Sequence, residues 1–251
     1  MDTNHWHQRY LQQSRWTAQI RDHLFSQIAL PPDCRLLEVG CGTGAVLQDL
    51  ENRWNNRIVG MDLNRRYLQK AAQSRSTQSL VQGDALKLPF LGASFGICCC
   101  HFLLLWLEDP IMALKEMRRV TRPGGWVLAL AEPDYGGRID YPEKFTELAG
   151  YQTLALKDQG ADPNAGRKLA SWFHNSGLES IQVGCIGGHW STPPDHLEKE
   201  LEWAVIRNDL KYILDKNLLE EYEWLDYQAW NNGDRILYVP TFWATGRVPL
   251  T

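Results

Sequence analysis

Strand-like and helix-like segments alternate through the first half of this 251-residue chain, and no other feature of the sequence restricts the fold as strongly. Apolar segments typical of buried strands lie at 35–40, 57–62, 79–85, 94–101 and 126–132. Helical patterns fall between most of them, at 44–54, 65–75 and 110–120. This alternation indicates parallel β-α-β units, and strands that are apolar on both faces need helices on both sides. We therefore predict an α/β fold with a doubly wound, mostly parallel sheet.

The second half of the chain departs from this alternation. Residues 133–144 are polar and are predicted to form a loop. The elements expected after it are two helices and a strand, at 145–158, 166–176 and 180–188. Residues 194–230 are predicted to form two acidic, aromatic helices that separate near Lys216. The last segment, 235–248, alternates like a strand or hairpin, although Pro240 weakens that interpretation because proline cannot donate a hydrogen bond to a sheet.

Composition and charge restrict the partners that the protein can bind and the cellular compartment in which we expect it. The net charge is -4 and no block of Lys and Arg is present. Proteins that bind nucleic acid usually carry a basic stripe, so we expect no nucleic-acid partner. The longest apolar stretch, 95–107, has 13 residues, and a bilayer-spanning helix needs about 20. The first ten residues also lack the basic start and apolar middle of a signal peptide. We expect a cytoplasmic protein without a membrane span.

The six cysteines do not form a metal-binding or disulfide pattern. No C-x-x-C pair occurs, and Cys98, Cys99 and Cys100 are consecutive. Consecutive side chains of a strand point to opposite faces, so these three make a poor chelate and poor disulfide partners. We expect buried free thiols and no metal site.

A glycine-rich loop connects the first strand to the first helix of the alternating region. The segment LLEVGCGTG covers 36–44 and contains three glycines. Glycine has no Cβ and tolerates positive φ, so a ligand can lie directly against such a backbone. The amide groups at the start of the following helix are free to donate to it. The loop therefore predicts a site for a polar ligand.

Two kinds of ligand fit this loop. Gly40, Gly42 and Ala45 match the dinucleotide pattern G-x-G-x-x-G/A, and Asp62 follows Gly40 by 22 residues, where a ribose-binding acid is expected. Glu38 argues against a dinucleotide, because a carboxylate in the strand ahead of the loop would repel a pyrophosphate and attract a cationic ligand.

A third acid favours the cationic ligand. Asp84, in the segment GDALKLPF, follows the third strand and would face the same cleft as Glu38 and Asp62. Three acids suit a ligand with ammonium and sulfonium charges, a ribose diol and an adenine amine, and S-adenosylmethionine has all of these groups. Two other functions stay open. One is an NAD(P)-dependent oxidoreductase, which needs a hydride-transfer site elsewhere, and the other is a non-catalytic S-adenosylmethionine-binding sensor or partner subunit.

Five segments, in order, resemble the successive motifs of the class I S-adenosylmethionine-dependent methyltransferases: LLEVGCGTG, VGMDLN, GDALKLPF, SFGICCCHFLLLWLEDP and RPGGWVLALAEPD. The chain is most similar to the type 11 small-molecule group, which resembles the ubiquinone and menaquinone methylases. The resemblance implies a single domain over 1–251 with a Rossmann-like methyltransferase fold and a seven-stranded, mostly parallel sheet. It also implies an N-terminal helical lid at 1–30, a cofactor-binding core at 34–135 and a helical substrate-side insertion at 189–232.

The same resemblance assigns residues to the cofactor. The methionine part of S-adenosylmethionine would be held by Glu38 and by the backbone of Gly40, Cys41, Gly42 and Gly44. The nucleoside would be held by Asp62 at the ribose hydroxyls and by Leu63, Asp84 and Ala85 at the adenine. His101 would lie near the methyl group. Tyr10 and Trp16 on the lid would either contact the ligands or serve as ordinary packing residues.

Methyl transfer from a sulfonium is an in-line displacement, so the protein mainly supplies alignment and desolvation. A hydroxyl or amine acceptor can need a base near neutral pH, and the candidates are His101, His189 and Tyr135. Tyr135 follows the fifth strand together with Glu132 and Asp134, and all three would face the same rim. Either histidine can instead be a packed, hydrogen-bonded residue without a catalytic role.

The acceptor itself is the least defined part of the prediction. Seven aromatic residues at 189–230 can line an apolar pocket, or they can pack as core between the helices and the sheet. The acidic runs 198–202 and 220–223 are read as a solvated face. The sequence thus predicts methyl transfer to an oxygen, nitrogen or carbon of a small organic acceptor, with a hydrophobic or aromatic acceptor favoured by the aromatic residues.

Overall fold

The computed structural model describes residues 2–28, 34–53, 57–73, 79–187 and 193–250. Its main sheet has seven strands in the order β3-β2-β1-β4-β5-β9-β7. Their bounds are β1 Leu36–Val39, β2 Ile58–Asp62, β3 Ser79–Gln82, β4 Phe95–Cys100, β5 Thr121–Pro133, β7 Glu179–Ile186 and β9 Thr241–Arg247. The first five strands pair in parallel, and β9 runs antiparallel to both of its neighbours. The predicted α/β fold with a mostly parallel seven-stranded sheet is confirmed.

The helices of the described chain lie on both faces of this sheet and above its carboxyl edge. Their bounds are α1 Thr3–Trp16, α2 Ala18–Gln27, α3 Ala45–Arg53, α4 Arg65–Gln73, α5 Pro110–Val120, α6 Phe145–Asp158, α7 Leu169–Asn175, α8 His196–Leu210 and α9 Lys216–Asn232. Several begin at side-chain caps: Asp109 accepts from Met112 N at the start of α5, and Asp195 forms a capping box with Glu198 at the start of α8. Such caps satisfy amide groups that the first turn leaves free.

The central strand β4 shows why the sheet is covered on both faces. All six of its residues are buried. Cys98 and Cys100 belong to the apolar core on one face, whereas Ile97 and Cys99 belong to the core on the other. This follows from the two-residue repeat of a strand. Burial raises the pKa of all three cysteine thiols, which keeps them protonated. Five of the six cysteines are buried as expected, whereas Cys185 is exposed.

Two predicted elements differ from the structure. The helical lid expected at 1–30 is interrupted at Thr17, between α1 and α2, and residues 29–33 lie outside the described chain. The loop expected at 133–144 instead contains strand β6, Ile139–Tyr141, which pairs with strand β8, Ile236–Tyr238, in a separate two-stranded sheet. This pairing joins segments far apart in sequence, so local composition does not reveal it.

The segment 235–248 forms two strands that belong to different sheets. Strand β8 ends at Tyr238, and β9 begins at Thr241 in the main sheet. Pro240 stands between them, where it cannot donate to either ladder, and its carbonyl accepts from Asp134 N at 2.8 Å. The proline that weakened the prediction of one continuous strand marks the point at which the chain changes sheets.

Candidate active site

A cavity of about 980 Å³ opens at the carboxyl ends of β1, β2, β4 and β5. The sheet order reverses between β1 and β4, and ligands of open α/β sheets bind at such a switch point. One end of the cavity is lined by the residues of the glycine-rich loop and its neighbours, Glu38, Gly40, Cys41, Gly42 and Asp62. The other end is lined by α6, α8 and α9. The volume is at the upper end of the range for ligand pockets, about 300–1,000 Å³, so it can hold a nucleoside and a second small molecule.

The glycine-rich loop needs glycine at two positions of the cavity wall. Gly40 has φ +73° and Gly42 has φ +53°, values that other residues rarely adopt. A Cβ at Gly40 would lie 2.7 Å from Leu103 Cδ1, and one at Gly42 would lie 3.4 Å from the Tyr10 ring. The loop backbone is therefore held close to both neighbours while its cavity side stays bare.

Asp62 holds the loop in this position. One carboxylate oxygen accepts from Gly42 N at 2.7 Å, and the other accepts from Asn64 N at 2.7 Å. Burial raises the pKa of Asp62, and the two amide donors partly oppose that effect. The residue lines the cavity and also supports the loop, so its substitution would affect both a ligand and the backbone around it.

Glu38 lies deepest among the predicted cofactor residues. It is 1% exposed, stands between Gly60 of β2 and Cys99 of β4, and lines the cavity beside the loop. A carboxylate in this place favours a ligand group with positive charge. These features fit the amino-acid part of S-adenosylmethionine. Its ammonium group needs an acid, which Glu38 supplies, and its carboxylate needs free amide groups, which the bare loop and the start of α3 at Ala45 supply.

The residues predicted to contact adenine lie at the margin of the site. Among the described residues, Leu63, Asp84 and Ala85 are not part of the cavity wall. Leu63 is 68% exposed, Asp84 is exposed and accepts from Leu86 N at 2.9 Å, and Ala85 is buried. Gly44 also lies behind the wall, where its carbonyl accepts from Gln48 N at the start of α3. Leu63 and Asp84 nevertheless lie at the same edge of the sheet. The segments that carry them are joined there by a hydrogen bond from Gly83 N to Asp62 O at 3.1 Å.

Helix α1 lies across the glycine-rich loop. The Tyr10 ring covers Gly42, and the His7 imidazole is hydrogen-bonded to the Thr43 hydroxyl at 2.8 Å. Desolvation raises the pKa of Tyr10 well above its ordinary value, and its hydrogen bond with Tyr67 contributes. Helix α1 therefore covers the glycine-rich loop at this end of the cavity.

The other side of α1 contacts α8. Arg9 NH1 donates to Glu202 Oε2 at 2.6 Å, and Gln12 donates to the carbonyl oxygen of Glu198 at 3.2 Å. Trp16 lies under the Arg9 guanidinium at 4.8 Å and is about half exposed. Helix α1 thus bridges the two ends of the cavity, and Tyr10 and Trp16 both line it.

His101 lies in the cavity wall as an uncharged, hydrogen-bonded residue. Its Nε2 is 2.8 Å from Thr17 Oγ1, which also accepts from Arg21 NH1 at 2.7 Å. Burial, followed by the charge of Arg21, lowers the pKa of His101 to about 3. The imidazole is neutral at pH 7, but its low pKa makes it a weak proton acceptor.

The other residues predicted near the acceptor have different surroundings. Tyr135 lines the cavity, and burial raises its pKa, so its phenol keeps its proton. Asp134 is buried and accepts from Arg167 Nε at 2.5 Å, so it does not face the rim as predicted. His189 lies outside the described residues.

Glu132 was also expected at the rim, and the structure buries it completely beneath the cavity wall. Its carboxylate accepts from the amide groups of three consecutive residues, Leu103, Leu104 and Leu105, at 3.0, 2.8 and 3.2 Å. Burial raises its pKa to about 7, against the effect of these bonds. Glu132 therefore fixes the turn that carries Phe102, which has φ +50°, into the cavity.

The end of the cavity lined by α6, α8 and α9, which we call the acceptor end, contains polar residues that the sequence did not reveal as a group. They come from distant segments: Arg9, Gln12, Arg138, Gln152, Gln159, Glu202, Asp209, Asp226 and Arg235. The interpretation of 198–202 as a solvated face is wrong for Glu198 and Glu202, which line the cavity. One sequence feature could have revealed part of this group. The spacing of Glu198, Glu202 and Asp209 places them on one face of a helix.

The aromatic residues of 189–230 divide between the two predicted roles. Trp203 and Tyr222 are core residues between α6, α8 and α9. Trp203 and Trp230 line the cavity, whereas Tyr212, Trp224 and Tyr227 are exposed and Trp190 lies outside the described residues. The acceptor end is therefore less aromatic and more polar than the sequence suggested.

Comparison with known proteins agrees with this geometry. A family model described as a methyltransferase domain, of the type 11 group, matches residues 37–129. An uncharacterised methyltransferase of Schizosaccharomyces pombe is 32% identical over 178 residues, which are 66% of this chain and 64% of that protein. A demethylmenaquinone methyltransferase of Bacillus licheniformis is 28% identical over 69% of this chain and 81% of its own length. The match thus spans slightly less than two thirds of the yeast protein.

A solved structure shares the fold. Phosphoethanolamine N-methyltransferase 2 of Haemonchus contortus, in complex with S-adenosylmethionine, aligns with a TM-score of 0.59 and 16% identity over 92% of this chain and 52% of that one. No helix in the described ranges is long and apolar enough to cross a membrane. Residues 37–129 are therefore a methyltransferase domain of the type 11 group, the group that the five sequence motifs resemble, and the relatives that align beyond this domain are also methyltransferases.

Proposed function

We propose that the protein transfers a methyl group from S-adenosylmethionine to an oxygen, nitrogen or carbon of a small organic acceptor. One observation carries the proposal: a single cavity joins the glycine-rich loop to the polar wall formed by α6, α8 and α9. When bound, S-adenosylmethionine supplies a methyl group already activated by a sulfonium. The chain then needs to align the acceptor and exclude water, which are the two tasks that a covered cavity performs.

The proposed cofactor contacts follow the loop. Glu38 and the backbone of Gly40, Cys41 and Gly42 would hold the methionine part, and Gly44 would hold the loop turn. Asp62 would accept from the ribose hydroxyls. Leu63, Asp84 and Ala85 would border the adenine, which then extends to the exposed edge beyond β2 and β3.

His101 and Tyr135 would act at the acceptor end. The low pKa of His101 supports a positioning role, in which its bond to Thr17 ties the end of β4 to the N-terminal helices. The protonated Tyr135 phenol would donate a hydrogen bond to the acceptor and orient it. His189 stays a candidate base from the sequence alone.

The oxidoreductase alternative has less structural support. A Tyr-x-x-x-Lys pair occurs at Tyr212 and Lys216, but Tyr212 is 90% exposed and neither residue belongs to the described cavity wall. The alternative of a non-catalytic sensor is compatible with the same cofactor site. A sensor would bind S-adenosylmethionine but would not transfer its methyl group.

Isothermal titration calorimetry tests the proposal. S-adenosylmethionine and S-adenosylhomocysteine should both bind with micromolar affinity, and NAD should show no saturable binding. The protein would then be incubated with methyl-labelled cofactor and a metabolite mixture. Label should appear in the organic-soluble fraction or in the amine fraction of that mixture. Binding of NAD alone would reject the proposal, whereas cofactor binding without transfer to any fraction would leave the sensor function in its place.

A further inference from the structure

The acceptor end of the cavity contains charged side chains that are mostly paired. Three arginines each donate to a carboxylate, in the pairs Arg9–Glu202 (2.6 Å), Arg138–Asp140 (2.5 Å) and Arg235–Asp226 (2.6 Å). Pairing of this kind offsets the cost of removing charges from water. These pairs leave little net charge in their part of the wall.

Asp209 differs from the other carboxylates of this end. Its hydrogen bonds come from the amides of Gln159 and Asn208, both at 3.4 Å and both to Oδ1. Among the residues that the structure describes, no Lys, Arg or His side chain forms an ion pair with it. The charge of Arg9 acts to lower the pKa of Asp209, but the Arg9 Nη1 group donates its hydrogen bond to Glu202.

The surroundings of Asp209 are those of a ligand-binding wall rather than an outer surface. It lines the cavity seven residues after Glu202, two helical turns along the same face of α8. Leu105, Leu156 and Ile206 line the same end. A carboxylate among apolar side chains is costly unless a cation accompanies it, and burial accordingly raises the pKa of Asp209.

We propose that this end of the cavity binds the acceptor through a protonated amine that pairs with Asp209. The inference rests on the proposed function, because it assumes that an acceptor occupies the cavity beside the cofactor. A protonated amine has no lone pair, so it serves as an anchor and the methyl group goes to another atom of the acceptor. The acceptor class is therefore a small amine-bearing molecule, a more specific class than the hydrophobic or aromatic acceptor that the sequence favoured.

Ligand-observed NMR tests this inference with defined probes. Matched sets of primary amine, alcohol and carboxylate on butyl, cyclohexylmethyl and 2-phenylethyl frames would be titrated into protein saturated with S-adenosylhomocysteine. The variants are Asp209→Asn and the control Asp158→Asn, which removes the same charge from an exposed position at the end of α6 outside the wall. Affinity for S-adenosylhomocysteine, measured in each variant, reports that the site is folded.

The amines should bind about tenfold more tightly than the alcohols on at least one frame, as a charge-assisted hydrogen bond implies. Asp209→Asn should remove that preference, and Asp158→Asn should keep it. The inference is overturned if no probe binds, if amines show no preference, or if the preference survives in Asp209→Asn. If S-adenosylhomocysteine itself does not bind, the proposed function fails as well, so the two failures are distinguishable.

Discussion

At the scale of single residues, the glycine-rich end of the cavity depends on a few positions that each have more than one structural role. Gly42 adopts φ +53°, donates to Asp62 and lies beneath the Tyr10 ring. The pattern G-x-G after a buried strand is local, so the sequence could predict this position. The role of Glu132 could not be predicted, because its three amide donors lie 27 to 29 residues earlier in the chain.

Gly42→Val tests the bare loop. The valine would require a strained backbone and would put its side chain against Tyr10, so binding of S-adenosylmethionine should fall at least about 100-fold while the fold is retained. The control is Gly150→Ala in α6, where a Cβ meets no atom within 4 Å; it should leave binding unchanged and stabilise the protein by about 0.5–1 kcal/mol. Calorimetry and thermal melts measure both effects, and normal cofactor binding by Gly42→Val would contradict the assignment.

His101→Gln tests the uncharged imidazole through the pH dependence of stability. The folded pKa of about 3 lies below the ordinary value of 6.5, so the unfolded chain binds the additional proton as the pH falls below 6.5. His101 should therefore lower the free energy of unfolding by up to about 2 kcal/mol between pH 8 and pH 5. Chemical denaturation of His101→Gln should show a correspondingly weaker decrease.

The matched control for that experiment is His174→Gln, which changes an exposed histidine near the end of α7. Its stability should follow the same pH dependence as the wild-type protein. An equally steep decrease in His101→Gln would mean that the imidazole has the same pKa in the folded and unfolded chain, and the base role would regain support.

At the scale of elements, helix α1 links the two ends of the cavity. The sequence predicted a helix in this place, and the resemblance to a family suggested a lid. The contact of α1 with α8 could not be predicted, because Arg9 and Glu202, which form it, are 193 residues apart in the sequence. Strand β6 was missed for the same reason, since it is three residues long and pairs with the distant strand β8.

Arg9→Met tests the lid. The substitution leaves Glu202 without its arginine, so α1 should separate from α8 more often and S-adenosylhomocysteine should dissociate about tenfold faster. Stopped-flow fluorescence of Trp6 and Trp16, which line the cavity from α1, can follow the release. Lys216→Met, which removes an exposed i,i+4 pair with Glu220, is the control and should leave the rate unchanged. Equal rates in all three proteins would argue against a lid.

At the scale of the whole molecule, topology determines where the site can be, but it does not determine what the site accepts. The alternation of strands and helices predicts a parallel sheet, and a parallel sheet places its ligand at the carboxyl ends of the strands. The acceptor wall is built from α1, α6, α8, α9 and the β8 segment, whose meeting depends on tertiary packing. Sequence patterns therefore predicted the glycine-rich loop at this edge of the sheet, but they did not predict the polar residues that α6, α8 and α9 bring together.

The most direct test of the central claim is a crystal structure of the complex with S-adenosylhomocysteine. The account predicts the amino-acid part against Gly40 and Gly42 with its ammonium near Glu38, and the ribose hydroxyls within about 3 Å of an Asp62 oxygen. A nucleoside bound elsewhere, or a cavity that stays empty at saturating ligand, would contradict it.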